Sequence, residues 1–132
     1  MIVLDASAAI ELVAVGRPVP ALLDRVERDG SLHSPHLVDA EFLNVLRKLV
    51  SRRLLGLDRA TEARSDFDRL GIVRYPLVGL SDRIWELRDN LTAYDASYVA
   101  LAEMLGCPLL TTDVRTAKAS GHRAEVEVYG RS

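Results

Sequence analysis

Four acidic residues stand out by where they fall along the chain. Asp5 and Asp113 each follow directly on a short apolar run, Ile2-Val3-Leu4 and Pro108-Leu109-Leu110-Thr111-Thr112. Runs of that kind read as strands buried on both faces. In an open parallel sheet, ligands bind beyond the carboxyl ends of the strands, so both carboxylates would point into one crevice. Glu41 lies early in one helical pattern and Asp95 in the first turn of another. Helices in such a sheet begin on the side where strands end, which brings all four acids to one rim. Each has a structural alternative. Asp5 and Asp113 could cap the helices that follow, Asp95 is three residues after Thr92 in a near capping box, and Glu41 could be a solvated acid. Taken together, clustered carboxylates repel and raise one another's pKa unless a cation neutralises them. An all-oxygen donor set without paired Cys or His selects Mg²⁺ or Mn²⁺ over Zn²⁺. A carboxylate-held metal orients water and stabilises a scissile phosphate.

The elements that must position these acids alternate. After the first strand, Asp5-Ala6-Ser7 opens a helix to about Val15, ended by Gly16 and Pro18. A second helix covers Val19–Arg28, and Ser31–His33 is a short strand. Ser34-Pro35 reads as a helix start, Ser as cap and Pro at the first position, for a helix running to about Arg53. Lys48, Arg52 and Arg53 suit its C-terminal dipole. Asp58 is expected to cap a helix up to Leu70, followed by a strand over Ile72–Pro76 and a helix over Ser81–Asp89. Thr92 starts a further helix to Leu105 with Gly106 as its stop. A short helix then follows Asp113, and Val126–Tyr129 is a last strand. Strand and helix alternation demands parallel strands with helical crossovers, so an open α/β sheet.

The 132 residues are 48% hydrophobic and 27% charged with a net charge of −2, which fits one domain over 1–132 and excludes a polybasic nucleic-acid binder. It leaves room for a nucleic-acid enzyme whose positive charge comes as metal ions. Cys107 is the single cysteine and reads as a small buried hydrophobe. No apolar stretch is long enough to span a membrane, and Asp5 and Glu11 interrupt any signal-like start, so the expectation is cytoplasmic. His33 and His36 lack a third ligand. Asp39, two residues from Glu41 on a helix, points elsewhere and reads as surface. Trp85 reads as helix packing or an interface anchor, and Tyr94 and Tyr98 as core, with a substrate contact open for Tyr94. Arg115 and Lys118 are candidates to hold RNA phosphates, or else belong to an ordinary solvated face.

The acids sit in motifs that carry a resemblance. Ile2-Val3-Leu4-Asp5-Ala6-Ser7-Ala8 resembles the opening of PIN-domain nucleases, and Asp39-Ala40-Glu41-Phe42-Leu43-Asn44-Val45-Leu46-Arg47 their second acidic motif. Leu91-Thr92-Ala93-Tyr94-Asp95-Ala96-Ser97-Tyr98-Val99-Ala100-Leu101-Ala102-Glu103 is closely similar to the third, and Leu110-Thr111-Thr112-Asp113 to the fourth. Order, spacing and length resemble the VapC toxins of bacterial toxin–antitoxin modules. The resemblance implies a PIN-like three-layer fold, a five-stranded parallel sheet in the order 3-2-1-4-5 with helices on both faces. It implies a magnesium-dependent RNA endonuclease, with Mn²⁺ as substitute, that forms a homodimer and is neutralised by a VapB-type antitoxin. Carried over, Asp5, Glu41, Asp95 and Asp113 become catalytic metal-binding acids, with Asp5 and Asp95 in direct contact with the ion. Ser7 and Thr112 become candidates to hold a carboxylate or a metal-bound water. An acidic pocket without local basic counter-charge also receives a guanidinium, so the antitoxin is expected to insert an Arg there. The alternative is a catalytically silent module of this fold that binds RNA or a partner.

Overall fold

A computed structural model describes residues 1–130. Five strands, β1 (Ile2–Leu4), β2 (Leu32–Pro35), β3 (Val73–Tyr75), β4 (Leu109–Thr111) and β5 (Val126–Val128), form one sheet in the order β3-β2-β1-β4-β5. All four pairings are parallel. The expected order 3-2-1-4-5 is the observed one. β1 is the central strand and every one of its residues is buried, which is why it reads as an unbroken apolar run.

Among the described residues, seven α-helices flank the sheet: α1 (Ala6–Val13), α2 (Pro20–Asp29), α3 (Leu37–Ser51), α4 (Leu57–Arg69), α5 (Ser81–Glu86), α6 (Ala93–Leu105) and α7 (Val114–Lys118). A 3₁₀ turn over Leu77–Leu80 precedes α5. α6 packs on β1, β2 and β4, and seven consecutive residues, Ala96–Ala102, are buried. Its start is fixed by Thr92, whose side chain accepts from the Asp95 N–H, and its stop by Gly106 in the left-handed conformation, both as the sequence predicts. Phe42 of α3 stacks on Phe67 of α4 with centroids 3.9 Å apart, which locks these two helices together.

Local signals misplace several boundaries. Ser34 and Pro35 belong to β2, not to a helix start. Ser34 is buried, its hydroxyl donates to the Leu4 carbonyl, and Ser34 and Pro35 pair with Arg74 and Tyr75 of β3. Pairing with β3 and the hydroxyl bond to β1 outweigh one cap, so α3 begins after His36 without a side-chain cap. Asp58 lies inside the first turn of α4, whose cap position is Gly56. α1 stops at Val13 rather than Val15, and α5 stops at Glu86 rather than Asp89.

Candidate active site

β1 ends at Leu4 and the chain turns at once into α1, which leaves Asp5 at the helix cap with an extended backbone. Its Oδ1 accepts from the Ala8 N–H at 2.9 Å and from the Ser7 hydroxyl at 2.7 Å. Its Oδ2 accepts from the hydroxyl of Thr111, the last residue of the neighbouring strand β4. Each hydroxyl also accepts from the backbone just beyond β4: Ser7 Oγ from the Thr112 N–H at 3.0 Å, Thr111 Oγ1 from the Asp113 N–H at 3.1 Å. A hydroxyl has one proton, and here both protons go to Asp5. Capping and a shaped site are therefore one arrangement, not rival explanations.

Asp5, Glu41, Asp95 and Asp113 all line one cleft of about 670 Å³, as expected from the strand-end rule. Glu41 arrives from the second turn of α3, and its Oε1 accepts from the Tyr98 hydroxyl at 2.6 Å. Tyr98 is itself buried in α6 and holds Glu41 across the cleft floor. Asp95 comes from the first turn of α6 and Asp113 from the cap of α7.

The electrostatics follow from this crowding. Asp5, Glu41 and Asp95 are all held above the ordinary carboxylate range, in each case chiefly by burial. For Asp5, hydrogen bonds from Thr111, Ser7 and Ala8 offset part of that effect, while Asp95 adds repulsion. Glu41 is eased by Tyr98 and opposed by Asp95, and Asp95 is pushed up further by Asp113. Asp113 goes the other way, because Arg115 clasps it with bonds of 2.9 to 3.3 Å from two guanidinium nitrogens. Burial, and then the bond to Glu41, drive the Tyr98 hydroxyl far above its usual value, so it stays a donor.

Several sequence expectations change. Thr112 is not the hydroxyl that holds a carboxylate; Thr111 is, while Thr112 contributes its backbone N–H and lines the cleft wall. Thr111 is a fully buried hydroxyl at the end of β4 and must find a partner, a burial that only the pairing of β4 with β1 reveals. The acids do have a basic neighbour, since Arg115 pairs with Asp113 at 2.9 Å. Lys118 is exposed and does not line the cleft. Glu11, Asn44 and Lys48 do line it and escaped the sequence reading as site residues. Glu11 is buried and accepts from the Val19 N–H, tying α1 to the chain entering α2.

Asp39 is no bare surface acid: Arg74 grips it with two bonds of 2.7 Å. His33 is buried between the Tyr75 hydroxyl at 2.8 Å and Ser31 at 3.1 Å, which fills both ring nitrogens. Tyr94 is exposed rather than core, and Trp85 is 68% exposed with the Arg88 guanidinium 4.7 Å above its ring. Cys107 is only partly buried.

A central parallel sheet in this strand order, with four acids converging at its carboxyl rim, defines a nuclease-like α/β domain. The chain belongs to the PIN-domain family, whose profile matches residues 2–121. It is 46% identical to Ribonuclease VapC9 of Mycobacterium tuberculosis over 99% of this chain and 100% of that protein. It is 41% identical to Ribonuclease VapC12 of the same organism, over 97% of this chain and 98% of the relative. Those two relatives place it among the VapC ribonucleases. The fold matches the crystal structure of PAE2754 from Pyrobaculum aerophilum with a TM-score of 0.64, at 28% identity over 95% of this chain and 82% of that one. It also matches the crystal structure of Mycobacterium tuberculosis VapC20, described as a sarcin-ricin loop cleaving toxin, with a TM-score of 0.62. That match covers 93% of this chain and 97% of the other at 18% identity and speaks to fold alone.

Proposed function

We propose that the chain is a Mg²⁺-dependent endoribonuclease and the toxin half of a toxin–antitoxin pair, restrained by a VapB-type antitoxin and assembled as a homodimer. The observation that carries the reading is the meeting of Asp5, Glu41, Asp95 and Asp113 in one cleft, with Asp5 fixed by two hydroxyls and a backbone N–H. Three of the four acids are held above their ordinary range, chiefly by burial with repulsion from a neighbouring acid added, and a bound cation would offset both.

The donor set fits a hard divalent ion. Among the described residues no three Asp, Glu, His or Cys side chains stand close enough to cage an ion. Mg²⁺ needs no such cage, since it keeps several waters and takes one or two carboxylates plus the oxygens of a substrate phosphate. Asp5 and Asp95 would hold it, with Asp113 and Glu41 acting directly or through water. Mn²⁺ offers the same preference for oxygen ligands. When bound, such an ion supplies an activated water and charge stabilisation at phosphorus.

This chain's own residues do the rest. Ser7 and Thr111 keep the Asp5 carboxylate in one orientation, and Tyr98 does the same for Glu41. The acids repel a bare phosphodiester, so RNA enters only where cation charge offsets them.

Purified protein is expected to cleave single-stranded RNA with Mg²⁺ or Mn²⁺ and to stop in EDTA. Asp5→Asn and Asp95→Asn are expected to abolish cleavage and keep the fold. Cleavage that persists unchanged in EDTA, or in both variants, overturns the reading.

A further inference from the structure

The cleft has a group that the arrangement of acids leaves unused. Glu41, Asn44, Val45 and Lys48 fall at helical spacings on one face of α3, and all four line the cleft. Among the described residues Lys48 is the one Lys, Arg or His in that lining. Its ammonium makes no ion pair or side-chain hydrogen bond among the described residues, although acids line the same cleft. Arg115, by contrast, is already spent on Asp113. Lys48 is also the basic residue in the last turn of α3, where a cation suits the helix dipole, but that preference acts on every face of the turn and does not select the one that lines the cleft.

Lys48 lies seven residues beyond Glu41, about 10 Å along the helix axis. Side chains on a helix lean toward its N-terminus, so the ammonium is inclined back toward the acids. Between the two stands Asn44, whose Oδ1 is taken by Arg47 at 3.2 and 3.3 Å, which leaves its NH₂ free toward a ligand. A phosphate held at the carboxylates is the scissile one. A flexible cation a helical turn or two farther along the same wall faces the next link of a polyanion.

The geometry points to Lys48 as the residue that binds an RNA phosphate neighbouring the scissile one and so sets where the strand lies in the cleft. This rests on the ribonuclease reading above. A Lys contact of this kind positions the strand and carries no base specificity. It strengthens binding in a salt-dependent way, since each neutralised phosphate releases counterions.

The test compares wild type with Lys48→Ala and Lys48→Arg on a labelled single-stranded RNA, across a range of KCl concentrations. Cleavage is followed with Mg²⁺, and binding by fluorescence anisotropy with Ca²⁺ in its place. Lys48→Ala is expected to raise KM and the dissociation constant about tenfold, with kcat within about twofold. The slope of log affinity against log salt is expected to fall by about one, and Lys48→Arg to restore both. Lys48 is exposed, so the melting temperature is expected to stay put and a folding defect is separable. One methylphosphonate walked along the RNA identifies the contact: the linkage whose neutralisation weakens wild type is expected to leave Lys48→Ala unaffected. Unchanged affinity and salt slope in Lys48→Ala, or a loss confined to kcat, overturns the inference even where wild type cleaves RNA. Lys48-dependent binding without any cleavage by wild type instead sustains the contact and overturns the ribonuclease reading.

Discussion

Two neighbouring threonines separate what a side chain does from what its backbone does. Thr111 gives its hydroxyl proton to Asp5, while Thr112 gives only a backbone N–H to Ser7. Thr111→Val keeps the shape, so the fold is expected to survive while metal-dependent cleavage drops roughly 10- to 100-fold, as for other groups that orient a metal-binding carboxylate. Thr112→Val is expected to stay within about twofold, and parallel rate measurements on the two variants check both. Asp95 makes a second prediction. Its pKa is raised in the folded chain by burial and by Asp113, so the native state binds protons more tightly than the unfolded one there. That contribution is present below the ordinary carboxylate range and is lost as pH rises through the raised value. In metal-free buffer Asp95→Asn is therefore expected to melt higher than wild type, by a margin that widens from acid to neutral pH. Thermal melts at several pH values read this directly. The four acids were legible in the sequence because strand ends and helix starts lie on one rim whatever the details. Thr111 was not, since only the pairing of β4 with β1 decides which of two threonines faces Asp5.

At the scale of elements, the sequence is clearest where local chemistry and tertiary packing agree. α6 has its cap at Thr92, its stop at Gly106 and a buried body, and its bounds follow from those residues. β2 is the opposite case: Ser34-Pro35 carries a helix-start signal, yet both residues are drawn into the ladder with β3. Ion pairs between elements were equally hidden, because their partners lie far apart in sequence. Arg83 of α5 binds both carboxylate oxygens of Glu103 in α6, at 2.7 and 3.0 Å, and Glu103 also accepts from the Arg123 N–H. The Glu103 side chain is 7% exposed, so a variant that removes its partner strands a buried carboxylate. Arg83→Met is expected to cost about 1–3 kcal/mol in chemical denaturation. Glu103 is held below its usual range chiefly by Arg83, so the difference between variant and wild type is expected to shrink as acid titrates that carboxylate.

For the molecule as a whole, the proposed cation site implies a link between binding and folding. A ligand that binds only the native state stabilises it by RT ln(1 + [L]/Kd), about 2.7 kcal/mol at a hundredfold excess over Kd. Mg²⁺ is expected to raise the melting temperature of wild type by several degrees and to leave Asp5→Asn nearly flat. The fold class was readable from strand and helix alternation, and the strand order only through the resemblance to a family. The bond from Thr111 to Asp5 joins residues 106 positions apart, across the adjacent strands β1 and β4. A ribosome making this chain therefore releases most of it before the first carboxylate has its final partner. Cell-free synthesis halted before Leu109, which omits β4 together with Thr111 and Asp113, is expected to yield no cleavage.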